Sequence, residues 1–126
     1  MRVVIADDEK YVLVVLKSTL SKLRYPIEIV GEAMDGEEAF RLCRERQPEL
    51  LITDICMPRT DGLDMLALLR EELGFEGVIT TDSMTMGAIA TRHGVANACA
   101  MALSAGADLV LMKAENELVG ETVDTI

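Results

Sequence analysis

The sequence predicts an α/β domain with a parallel sheet between two layers of helices. Three observations carry that expectation: short apolar runs recur along the chain, amphipathic helical patterns lie between them, and acids stand at the ends of two of the runs. The strand-like runs are Arg2–Ala6, Ile27–Gly31, Leu50–Thr53, Val78–Thr81 and Leu109–Met112. Strict alternation of such runs with helices implies parallel pairing, because each crossover needs a helix. Five strands suit a flavodoxin-like three-layer sandwich with sheet order 2-1-3-4-5, and its ligand site is expected at the carboxyl ends of the strands.

Each element has a local reason. The first helix carries Val12, Leu16, Leu20 and Leu23 on one stripe, with Lys17, Lys22 and Arg24 off it, and Pro26 marks its end. The second opens at Asp35 with Glu38 three residues on, a capping-box spacing. Ala39, Leu42 and Cys43 form its inner stripe, and Pro48 closes it. The third has Leu63, Leu66, Leu69 and Leu73, and Gly74 is its stop. The segment SMTMGAIATRHGVANACAMALSAG follows the fourth strand. Gly87 and Gly94 divide it into two short helical pieces. Ala96, Ala98, Ala100 and Ala102 permit close packing, and Met84, Met86 and Met101 are expected to fill gaps in the core. A last helix over Glu115–Ile126 is short, contains Gly120 and is acidic; only Leu118, Val119 and Val123 can hold it, so fraying is expected.

Composition narrows the function. The chain has 126 residues, 50% of them hydrophobic, enough for one domain with a core. Its net charge of −10 argues against nucleic-acid binding, which needs a basic surface. No apolar run is long enough to span a membrane, and no secretory signal pattern opens the chain. Cys43, Cys56 and Cys99 form no CxxC pair, which fits core thiols in a reducing cytoplasm better than a disulfide scaffold. Aromatic residues make up only 3%, so stacking platforms for bases or sugars are scarce. Asp7 and Asp8 end the first strand and Asp54 ends the third, so three carboxylates at neighbouring strand ends make a candidate site for a hard cation.

Asp7-Asp8-Glu9 and the stretch LLITDICMPRTDG (Leu50–Gly62) resemble the receiver domain of bacterial response regulators, a resemblance running from Met1 to about Arg70. It implies that Asp54 is a phosphoacceptor for a histidine kinase. It also implies that Mg²⁺ is held by Asp7, Asp8, Asp54 and the backbone carbonyl of Cys56. Receivers carry a Ser or Thr ending the fourth strand and a Lys ending the fifth; those places fall on Asp82 and Lys113. Ala114 stands where a Pro usually follows that lysine, and a carboxylate at Asp82 would repel a phosphoryl group.

From Leu69 to Met112 the sequence also resembles glycoside hydrolase family 3, of the bacterial β-N-acetylhexosaminidase type. LGFEGVITTDSMTMGAI and ALSAGADLVLM carry that likeness, and Asp82 stands at the family's catalytic nucleophile. Those enzymes are TIM barrels, so this resemblance implies an engineered chimera: one domain over residues 1–126, receiver-derived over 1–70 and barrel-derived over 71–126. Such a construction would have no selected activity beyond cation binding at the acidic pocket, and no built-in output domain. A phosphoacceptor of a two-component relay is the alternative. A glycosidase is the remote third, because a separate acid/base and sugar-binding residues are missing, and His93, the single histidine, is expected at the surface.

Overall fold

The computed structural model describes residues 1–55, 57, 62–81, 94–111 and 124. They form β1 (Arg2–Ala6), α1 (Lys10–Ser21), β2 (Glu28–Ala33), α2 (Gly36–Arg46), β3 (Leu50–Thr53), α3 (Gly62–Glu71), β4 (Val78–Thr81) and α4 (Val95–Ala105). The strands make a parallel sheet in the order β2-β1-β3-β4. This is the expected flavodoxin-like arrangement with four strands among the described residues.

The fifth run lies where the order 2-1-3-4-5 requires it, and among the described residues its beginning pairs. Leu109 makes a single parallel bridge with Thr80. The Thr81 amide donates to the Leu109 carbonyl at 3.1 Å, and the Asp108 amide donates to the Ile79 carbonyl at 2.9 Å. Leu109 and Leu111 are both exposed, while Val110 between them packs against the core. Met112 lies outside the described residues, as does the expected last helix apart from Asp124.

Alternation along the strands divides the core. Val4, Ala6, Leu51 and Ile79 face one side of the sheet, where they pack with Ala39, Leu42 and Cys43 of α2, Met65, Leu66 and Leu69 of α3, and Ala98, Cys99 and Ala102 of α4. Val3 and Ile5 face the other side, against Leu13 of α1 with Leu16, Leu20, Leu50 and Ile52 around them. Strands apolar on both faces are what a sheet covered on both sides demands.

One helix expectation and one strand expectation shift. In α1 the inner stripe is Leu13, Leu16 and Leu20; Leu23 is exposed because the helix has already ended at Ser21. Strand β2 ends at Ala33, two residues beyond the expected Gly31, since a register shift between Val3 and Val4 lets Ala33 pair with Ala6. The α2 cap forms as expected, with the Asp35 carboxylate accepting from the Glu38 amide at 2.8 Å, while the Glu38 carboxylate reaches one residue further back than a capping box requires and accepts from the Met34 amide at 3.3 Å. The helix ends at Gln47, which takes the left-handed conformation with φ 47°, before the buried Pro48.

Helix α3 begins against the end of β3. A Cβ at Gly62 would run into the backbone of Ile55, so only glycine lets the helix start there. At its other end, Arg70 reaches three backbone carbonyls: Phe75 at 2.6 Å, Gly77 at 2.9 Å and Gly106 at 3.0 Å. Its guanidinium also meets the Asp108 carboxylate at 2.7 Å, and the same carboxylate oxygen accepts from the Ile79 amide at 2.8 Å. One side chain thus fastens the end of α3 to the start of β4 and to the turn after α4.

Candidate functional site

Parallel pairing of β1 and β3 builds the site. Ala6 is in register with Thr53, so Asp7 and Asp54 leave the sheet side by side. Backbone bonds hold both exits: the Asp7 amide donates to the Ala33 carbonyl at 3.0 Å, and the Asp54 amide to the Ala6 carbonyl at 2.9 Å. The Asp7 carboxylate accepts from the Glu9 amide at 2.8 Å, which turns the chain into α1. Thr53, fully buried, donates its hydroxyl to the Asp54 carbonyl at 2.9 Å.

The result is a graded acidic cluster. Asp7 is buried at 3% exposure, Asp54 is half-buried and Asp8 is exposed. One carboxylate oxygen from each lies within 4.8 Å of the others. Three hard oxygen donors from two adjacent strand ends, one of them in a desolvated position, fit a divalent cation of the Mg²⁺ type. The cation would relieve the repulsion of like charges held so close.

Of the residues expected at the site, the structure therefore brings Asp7, Asp8 and Asp54 together. Cys56, Asp82, Lys113 and His93, with Met84 and Met86, lie outside the described residues. Strand β4 ends at Thr81, paired with Thr53. Thr81 is fully buried, and its hydroxyl has no hydrogen-bond partner among the described residues. Sequence reading missed the part played by Thr53. The available signal was a polar residue in a doubly buried strand, immediately before the central acid.

The two described thiols stand away from this chemistry. Cys43 and Cys99 are each 1% exposed. Burial pushes the Cys43 thiol up to about 12 and raises that of Cys99, so both stay protonated and inert at neutral pH. A cleft of about 330 Å³ lies by Pro48, Phe75 and Gly77, at the amino ends of β3 and β4 and so opposite the acids. No helix among the described residues is long and apolar enough to cross a membrane.

Comparison with known proteins agrees with this geometry. The family model described as "Response regulator receiver domain" matches residues 3–121. A protein-glutamate methylesterase/protein-glutamine glutaminase 1 of Methanospirillum hungatei is 39% identical over 97 residues, 76% of this chain and 28% of that protein. An uncharacterized response regulatory protein of Staphylococcus epidermidis is 46% identical over 65 residues, 52% of this chain and 26% of that protein. The chain therefore spans only about a quarter of the length of these relatives. Among solved structures, the signal receiver domain of the putative response regulator NarL from Mycobacterium tuberculosis superposes with a TM-score of 0.72 at 26% identity, covering 98% of this chain and 93% of that one. The response regulator domain of Thermotoga maritima CheB gives 0.72 at 25% identity, covering 98% and 89%. The family match runs across the expected join near Arg70, and none of these findings supports a glycoside hydrolase segment or a chimera. The chain belongs to the response regulator receiver domain family.

Proposed function

We infer that the chain is a phosphoacceptor of a two-component relay, with Asp54 receiving a phosphoryl group from a histidine kinase. The carrying observation is the convergence of Asp7, Asp8 and Asp54 within 4.8 Å at the carboxyl end of a receiver-type sheet. A carboxylate oxygen of Asp54 attacks phosphorus, the phosphorus–nitrogen bond of the phosphohistidine breaks, and the departing imidazole takes up a proton. Asp7 and Asp8, with the Cys56 carbonyl, would hold Mg²⁺, which offsets the charge on the incoming group. The Thr53 hydroxyl and the β1 carbonyl at Ala6 position the Asp54 backbone for that attack. Lys113 is the candidate for the residue that answers phosphorylation, and Asp82 occupies the switch position where a hydroxyl is usual and would oppose the phosphoryl charge.

This reading replaces the one of a construction without selected activity, because the family resemblance is not confined to residues 1–70. A glycosidase gains nothing from the described residues, whose one cluster of acids is the receiver-type cluster. The test is incubation with a small-molecule phosphodonor and Mg²⁺, read by intact mass. A single phosphoryl adduct that disappears in Asp54→Asn is expected. An adduct of equal yield in Asp54→Asn, or none in the parent chain, overturns the assignment.

A further inference from the structure

The cleft at the amino ends of β3 and β4 holds about 330 Å³, at the small end of ligand-sized cavities. Pro48 and Phe75, both buried, and the half-buried Leu73 form its apolar wall. That wall is set before any ligand arrives. Arg70 donates to the Phe75 carbonyl and lies 5.7 Å from the centre of its ring. A Cβ at Gly77 would strike the same ring and the Pro48 carbonyl, so only glycine lets the chain pass that close. Two opposite charges stand at the mouth. Arg44 and Glu76 line the cleft and are exposed, yet neither forms an ion pair with the other or with another described residue. Gln47 adds an amide. It is the one described residue other than glycine with a positive φ, at a helix end where glycine or asparagine is usual. Its carbonyl accepts from the Arg2 guanidinium at 3.2 Å, which fixes the turn and leaves the side-chain amide for the cleft.

We propose that this cleft binds a free α-amino acid with an apolar side chain. Its carboxylate would meet Arg44, its ammonium Glu76, and its side chain the wall of Pro48, Leu73 and Phe75. The planar guanidinium fork matches a carboxylate bidentately. Glu76 offers acceptors alone, which an ammonium with three donors satisfies. A ligand of one charge would leave one side of the mouth unanswered, and a polyanion would bring like charge to Glu76. The Cys43 thiol in the lining is protonated, so it adds no third charge. Water screens the two exposed charges, so the dissociation constant for so small a ligand is about millimolar. The cleft lies at the opposite end of the sheet from Asp54, and the proposal does not depend on phosphorylation there.

The test titrates the isotope-labelled full chain with L-phenylalanine and two analogues: 3-phenylpropionate, which lacks the ammonium, and phenethylamine, which lacks the carboxylate. Saturable amide shifts at Arg44, Gln47, Phe75 and Gly77 are expected with L-phenylalanine, and binding about fivefold weaker with either analogue. That comparison needs no variant. Arg44→Gln should weaken L-phenylalanine about fivefold without weakening phenethylamine, and Glu76→Gln should do so without weakening 3-phenylpropionate. Both substitutions are at exposed positions and should keep the parent's thermal midpoint. Equal binding of the three probes overturns the proposal and leaves an apolar cleft alone. The absence of a saturable shift at about 20 mM L-phenylalanine overturns it as well. So do shifts centred on Asp7, Asp8 and Asp54, which would place the amino acid at the acidic cluster.

Discussion

Asp7 is the residue on which the acidic cluster depends, because among the described residues it is the one carboxylate almost removed from water. A buried charge needs partners; the Glu9 amide is one, and a cation shared with Asp8 and Asp54 would be another. The expectation is that Mg²⁺ or Ca²⁺ stabilises the chain by mass action. The gain is about 2.7 kcal/mol when the cation stands a hundredfold above its dissociation constant. In Asp7→Asn most of that cation-dependent gain should vanish; thermal unfolding with and without the cation reads it, and an undiminished shift would place the ion elsewhere. Cys43 gives a second residue-scale prediction. Its folded pKa of about 12 lies above its ordinary value of 9.0, so the folded chain keeps a proton that the unfolded chain loses. Its contribution is therefore intact below pH 9.0 and declines as pH rises toward 12, by up to about 1.4 kcal/mol per pH unit. Urea unfolding at neutral and alkaline pH should show a shallower decline in Cys43→Ala than in the parent.

At the scale of the element, the joints between helices and strands matter more than the helices themselves. Gly62 starts α3 in contact with the Ile55 backbone, so Gly62→Ala should cost about 1–3 kcal/mol through overpacking, despite alanine's better helix propensity. Equal or greater stability by denaturant titration would show that the joint yields. Arg70 serves three carbonyls and one carboxylate, and Arg70→Met keeps most of its length while removing every donor. Since the guanidinium is partly exposed, water replaces some of those bonds, and the expected loss is about 2–3 kcal/mol. It should come with faster amide exchange at Ile79 and Asp108. The Asp35 cap was legible beforehand because capping is local: two residues three apart are enough to specify it. The Arg70 clamp was not, since its partners lie as far as 38 positions along the chain.

For the whole molecule, the clamp and the two-sided core predict one cooperative unfolding transition. Side chains of α2, α3, α4 and all four strands share a single apolar cluster, so the segment after Arg70 is packed into the same core as the segment before it. Intrinsic fluorescence of the two tyrosines and far-ultraviolet circular dichroism should give coincident transitions. Separate transitions for the segments before and after Arg70 would count against it.

Strand alternation, helix caps and the acids ending β1 and β3 follow from the sequence alone, because each rests on spacing within a few residues. The α/β class and the trio Asp7, Asp8 and Asp54 were therefore readable before any coordinates. Tertiary structure decided which residues share a face and how far pairing extends. It moved the inner stripe of α1 to Leu13 and left Leu23 in water. It carried β2 to Ala33 through a register shift, and among the described residues it set the fifth run beside β4 by a bridge at Leu109. It also turned Arg70, at the expected seam between two resemblances, into the side chain that ties both sides together. The physical reason is range: periodicity reports a residue's near neighbours, whereas burial and long-range hydrogen bonds depend on what the rest of the chain brings alongside.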